Sequence, residues 1–311
     1  MKKNIFVLLA LAGTLAWTGC MKENLAPVTP EEEVAAAVDS VWTVSLQAVK
    51  SDVPETKGLA IEGEEAATTV LKSIWKAGEE VKVYLGTTCI GTLTATPDGE
   101  DAHNATLSGT VTTTGLKEGT TTLTLLTPRE SWDYTGQVGT LLETAYSIEK
   151  MYHYTAATGV LVKTVDTENN AITTEKATFV NQQSIYRLSF RYQTGDTKTG
   201  IVAKNVTITT ERNKLVQSQS VDGATVTEGS ISVTLATPSS DPFFVALRNG
   251  DATDEAITFT VIDTEDATYK GSKVVPAAYK AGGFVSVKNA TLSRLGVGKS
   301  ATVISTAEGV L

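Results

Sequence analysis

The sequence predicts an all-β protein of about two domains behind an N-terminal targeting segment. Threonine recurs along the whole chain, alternating with Val, Ile or Leu, a composition suited to pleated, half-buried surfaces. Apolar residues repeat with period two in short runs bounded by Gly, Pro, Asn and Asp, and runs with helical spacing are scarce beyond the N-terminus. The chain has 311 residues, 41% of them hydrophobic, enough for two cores. Its formal net charge of -9 sets it apart from nucleic-acid binders, which present a basic face.

Residues 1–19 read as a signal peptide. Lys2 and Lys3 precede an apolar run, Ile5 to Trp17, that is too short to span a bilayer comfortably. The run closes in Leu15-Ala-Trp-Thr-Gly-Cys20, which looks like a bacterial lipobox with a small residue before the acylated cysteine. Several acyl chains at Cys20 would anchor the protein stably, where one chain is marginal. Only Cys20 and Cys89 are present, so lipidation of Cys20 leaves Cys89 unpaired. Cys89 then reads as a small buried apolar residue in a hairpin. Met21 to Asp39, with Pro27, Pro30 and Glu31 to Glu33, reads as a tether that spaces the fold from the membrane.

The first strand of the fold follows. Trp42, Val44, Leu46 and Ala48 share one face, and Thr43, Ser45 and Gln47 the other. The next stretch carries Asp52, Pro54, Glu55 and Thr56, poor residues for extending a sheet, and a trypsin-like protease would find Lys50 and Lys57 around it. Two readings stand side by side: a buried strand on a cuttable tether, removed after folding, or an ordinary edge strand with its loop.

Three motifs follow in order: Thr56-Lys-Gly-Leu-Ala-Ile-Glu-Gly63, Ile74-Trp-Lys-Ala-Gly-Glu-Glu-Val-Lys-Val-Tyr84, and Gly91-Thr-Leu-Thr-Ala95 with Ala105-Thr-Leu-Ser-Gly109. This succession resembles the fimbrillin-like pilins of the Bacteroidales, lipoprotein precursors of surface fimbriae. The resemblance implies two tandem transthyretin-like β-sandwiches, residues 58–172 and 173–311, after a tether and removable first strand at 20–57. It also makes Ala145 to Ala157 the segment that crosses the top of the N-terminal domain. Ala177 to Tyr192 becomes the opening of the second, with Tyr186, Leu188, Phe190 and Tyr192 on one apolar face. Short strands then recur at Val206–Thr209, Ile231–Leu235, Phe243–Leu247, Ile257–Ile262 and Phe284–Val287.

What the resemblance implies about function is a structural pilin subunit. It would be exported as an outer membrane lipoprotein to the cell surface, trimmed after Lys57 or Lys50, and polymerised by donor-strand exchange into a fimbrium. Its partners would be other pilin subunits, and the outer membrane through the lipid on Cys20. The strand holding Trp42, Val44 and Leu46 would leave, and a C-terminal strand with Ala301, Val303 and Ile304 would replace it in a neighbour; residues 300–311 could equally be this subunit's own closing strand. Family members in the best-known oral species are cut after Arg, but the first arginine here is Arg129. Either a Lys-accepting protease acts, or the subunit stays uncut as an anchor.

The rival class is a surface binding module or fimbrial tip adhesin that recognises glycan or host protein, with Trp132-Asp-Tyr134 as its exposed aromatic pair. An enzyme is not expected, nor a cofactor or metal. Only two histidines exist, His103 in a turn-like stretch and His153 among aromatics, and no metalloprotease or nucleophile-elbow motif occurs. Gly296-Val-Gly-Lys-Ser300 lacks the leading glycine of a phosphate loop, since Ser293 stands in that place. The acidic clusters at Asp251–Glu255 and Asp263–Asp266 lack calcium-loop spacing and read as solvated hairpin tips.

Overall fold

The structure, a computed structural model, describes residues 39–51, 73–100, 102–127, 131–142, 144–221, 223–248, 256–274 and 283–296. Period-two alternation becomes strands almost throughout. In chain order these are β1 (Ser40–Lys50), β2 (Glu80–Leu85), β3 (Thr88–Pro97), β4 (Asn104–Thr113), β5 (Thr122–Thr127), β6 (Ser131–Asp133), β7 (Thr155–Asp166), β8 (Ala171–Thr174) and β9 (Ala177–Asn181). One π-helical turn, Ile148–Tyr152, stands between β6 and β7.

Both edges of β1 are paired. It lies antiparallel to β4 from Ser40 opposite Thr113 to Val49 opposite Asn104. On its other edge it runs parallel to β8 at Thr43 and Val44, then to β9 from Ala48 to Lys50. The sheet continues from β4 through β3, β2 and β5 to β7, and β7 pairs with both β8 and β9. The path therefore returns to β1, closing a barrel in which β8 and β9 share one position. Closure leaves no edge, so β1 is an interior stave, which removes the edge-strand reading. The barrel is filled by Trp42, Val44, Leu46 and Ala48 of β1 together with Trp75, Val81, Val83, Leu93, Leu107, Val111, Leu125 and Phe179.

The following strands are β10 (Ser184–Thr194), β11 (Thr197–Gly200), β12 (Ala203–Thr210), β13 (Leu215–Ser220), β14 (Val226–Gly229), β15 (Ile231–Ser239), β16 (Phe243–Leu247), β17 (Ala256–Asp263), β18 (Thr268–Val274) and β19 (Phe284–Arg294), and all but β13 and β14 join a second large sheet. Its order is β11, β10, β19, β18, β17, β12, β15, with β16 also on β10, while β13, β14 and β6 form a small sheet of their own. β15 and β16 would leave a seam, and residues 137–139 occupy it. Thr234 and Ala236 donate backbone N–H groups to Gln137 and Val138, and Phe244 donates to Gly139. The Gln137 side chain adds two buried bonds to the backbone of Ala246, at 2.7 and 2.8 Å. Gly139 has φ +81°, and a Cβ there would stand 2.6 Å from Leu235, so the seam needs a glycine.

The architecture thus differs from two tandem sandwiches divided at 172/173. Ile148, Tyr152 and Tyr154, from the segment expected to cross the top of the N-terminal domain, pack into the second core together with Trp132 and Tyr134, while β9, expected to open the second domain, completes the first barrel. Tyr84 and Leu126 also belong to the second core. Apolar residues on the barrel's outer face require this, since they are buried only if the second half covers them.

Candidate functional site

The sequence most distinctive of this chain folds into the stave β1, and its inner face is the site. Trp42, Val44, Leu46 and Ala48 are all buried. The Trp42 indole N–H donates to the Thr113 carbonyl at 3.3 Å. Ala48 lies between Ala105 of β4 and Ala177 of β9, each of the three fully buried.

Lys50 falls in the same phase and points inward, only 4% exposed. Its ammonium donates to both carboxylate oxygens of Glu79 at 2.7 Å and to the Ile74 carbonyl at 3.1 Å. It stands 4.2 Å from the centroid of the Trp75 ring, which packs edge-on against Phe179. Burial lowers the Lys50 pKa, and the Glu79 charge opposes that shift.

Ser51 continues the network. Its N–H donates to Phe179, and its carbonyl accepts from the Asn181 amide at 3.1 Å. Asn181 Oδ1 in turn accepts from His153 Nε2 at 2.6 Å, and Ser73 Oγ lies 3.4 Å from the same nitrogen. Burial, then the Lys50 charge, holds the His153 pKa below its ordinary value. His103 binds here too, its Nδ1 2.9 Å from the Ser73 carbonyl and its own carbonyl accepting from Lys50 N–H. The arrangement clamps the last turn of chain before the polar stretch at 52–57.

Lys50 therefore sits inside the sheet, where the expectation was an exposed tether. Cys20, Lys57, Ala301, Val303 and Ile304 lie outside the described residues, as do Asp251–Glu255 and residues 297–300 of the glycine-rich stretch. Three other expectations are corrected. Cys89 is exposed: the register shift between Val83 and Tyr84 sends Ile90 into the core and turns Cys89 outward. Trp132 and Tyr134 are buried, Trp132 beneath the Arg248 guanidinium at 4.2 Å and Tyr134 edge-on to Tyr154. Asp263 is buried and accepts from the Ala267 and Glu265 N–H groups and the Tyr269 hydroxyl. Burial alone would raise its pKa, but those bonds and Arg294 bring it below the usual value, so this acid organises a turn.

Sequence reasoning missed the Lys50–Glu79 pair, the His153–Asn181–Ser51 chain and the Gln137 seal. The first had a signal, because Lys50 continues the 42, 44, 46, 48 series. The others join residues 28 and 109 positions apart and had none. Among the described residues no cluster of His, Cys, Asp or Glu could hold a metal, and no helix is long and apolar enough to cross a membrane. A cavity of about 240 Å³ beside Arg191, Phe259 and Leu292 falls below the usual size of a ligand pocket.

No protein-family model matches the chain, and no curated protein matches it. Solved structures are similar at low identity. One, from Bacteroides uniformis, is 14% identical over 81% of this chain and 96% of its own, with a TM-score of 0.38. Another, from Bacteroides fragilis, is 13% identical over 83% of this chain and 100% of its own, with a TM-score of 0.37. Both are described as a "putative cell adhesion protein". A third, from Bacteroides thetaiotaomicron, is described among "putative polysaccharide binding proteins"; it is 9% identical over 72% of this chain and 77% of its own, with a TM-score of 0.33. Similarity at this level gives no residue correspondence, and the site stands on its own geometry.

Proposed function

We propose that the protein is a surface pilin subunit, anchored as a lipoprotein through Cys20, in which β1 is a replaceable stave. A protease cuts the polar stretch at 52–57, β1 leaves, and a strand from another subunit takes its place. A cell-adhesion role of the kind named for the solved chains is part of this proposal. The observation that carries it is the position of β1. The strand precedes the rest of its own barrel in sequence, pairs on both edges, and is followed directly by a polar, proline-containing stretch that ends in Lys57. Its loss would expose two unpaired edges and the pockets of Trp42, Val44 and Leu46, a surface that demands another strand. Of the two basic residues, Lys57 is the better cut, since Lys50 is buried and its successor is hydrogen-bonded.

The test is Lys57→Ala in the full-length precursor. The variant remains a lipidated, surface-exposed monomer, whereas the parent forms detergent-resistant, heat-labile ladders on a gel. Ladders from the variant equal to those of the parent would sink the cleavage step.

A further inference from the structure

We infer that Lys299 of an incoming subunit replaces Lys50 in the Glu79 site, and that the incoming strand therefore runs opposite to β1. This rests on the strand-replacement reading above and specifies its register. When β1 leaves, it takes the cation that neutralises Glu79, whose side chain is only 18% exposed; the same ammonium donates to the Ile74 carbonyl and stands over the Trp75 ring, so both lose their cation with it. An occupant lacking a cation there would strand a largely buried carboxylate. Two residues earlier in β1, Ala48 sits between Ala105 and Ala177, all three fully buried, so a small side chain stands at this position between two others. The slot thus asks for a basic residue, then, two positions away, an alanine.

Residues 297–311 supply this pair once. Lys299, Ala301, Val303, Ser305 and Ala307 share one phase of a strand. Read from Lys299 onward they match β1 read backward: Lys50, Ala48, Leu46, Val44, Trp42. Ser305 and Ala307 are smaller than the side chains they replace, so the lysine and the alanine set the register. Running in the direction of β1 fails on chain inventory. With Lys299 at the Glu79 end, Thr291, Ser293, Leu295 and Val297 would have to fill the core, yet Thr291 and Ser293 belong to β19. With Ala307 at that end instead, Glu79 has no cation. The strand therefore lies antiparallel to β9 and parallel to β4.

Charge reversal in the full chain tests it. In Lys50→Glu/Glu79→Lys the precursor keeps its internal pair with the signs exchanged, but an incoming Lys299 now meets a lysine. Ladders should fall at least tenfold, and adding Lys299→Glu should restore them. Unchanged ladders in the double variant, or no rescue in the triple, overturns the inference. A crosslink reads orientation without touching the core. In a Cys89→Ser background, Thr106→Cys faces the position held by exposed Gln47. Combined with Thr302→Cys it should give disulfide-linked ladders, whereas Ile304→Cys should not. The reverse result means the strand runs with β1. Truncation after Lys299 separates the two levels: ladders that persist there defeat the C-terminal donor itself, whereas ladders lost there but indifferent to charge reversal defeat only the match of Lys299 to Glu79.

Discussion

A lysine ammonium withdrawn from water needs a carboxylate, and Lys50 has both oxygens of Glu79. Removing one partner is far more damaging than removing both, because the remaining charge stays buried. Lys50→Ala is expected to lower the unfolding free energy of the precursor by about 3 kcal/mol. Lys50→Met with Glu79→Leu should stay within about 1 kcal/mol of the parent, since an apolar pair of similar volume needs no hydration. Urea denaturation of the two variants checks this. The neighbouring His153 gives a pH signature. Burial and the Lys50 charge put its folded pKa below the ordinary 6.5, so the native state binds a proton less readily than the unfolded chain. Its contribution is complete above 6.5 and is lost as pH falls through the folded value. The urea midpoint should drop on the acid side of 6.5, and His153→Gln, which keeps a donor for Asn181, should flatten that drop. Only the inward phase of Lys50 was legible in the sequence; partners that meet through tertiary closure have no signature at fixed spacing.

At the scale of elements, strands that carry apolar residues on alternate positions were legible. β1, β10 and β17 stand where Trp42 to Ala48, Tyr186 to Tyr192 and Ile257 to Ile262 predict them. β11 is exposed at every residue, and β13 buries the adjacent pair Leu215 and Val216 in a register-shifted pairing, so neither shows the period. The motif Gly91-Thr-Leu-Thr-Ala95 has a physical reason that the pattern alone concealed. A Cβ on Gly91 would lie 2.3 Å from the Thr110 carbonyl, and one on Gly109 would lie 2.5 Å from that of Thr92. β3 and β4 approach too closely for any side chain at these two points. Because the obstructing atoms are backbone, Gly109→Ala should destabilise the barrel by about 1 to 3 kcal/mol. Gly271→Ala meets only the flexible end of Leu292, at 2.7 Å, and should do less; thermal denaturation of both variants ranks them.

At the scale of the molecule, the all-β class followed from composition, but the division of labour between the halves did not. Residues 131–154 precede β7 in sequence, yet they seal and fill the second sheet, because Gln137 and the aromatics at 132, 134, 152 and 154 find their partners only there. Gln137→Ala leaves the Ala246 N–H and carbonyl without these buried partners, and the unfolding free energy is expected to fall by about 2 kcal/mol, read as a shift in urea midpoint. Among the described residues the ladders of β1 run to β4, β8 and β9 of the first barrel, so its departure leaves the pairing of the second sheet intact. The central claim is that this stave is exchanged. Mass spectrometry of subunits from assembled fibres tests it most directly: the account predicts chains that begin at Gly58 and lack Trp42 to Lys50, and fibres whose subunits retain that strand would contradict it.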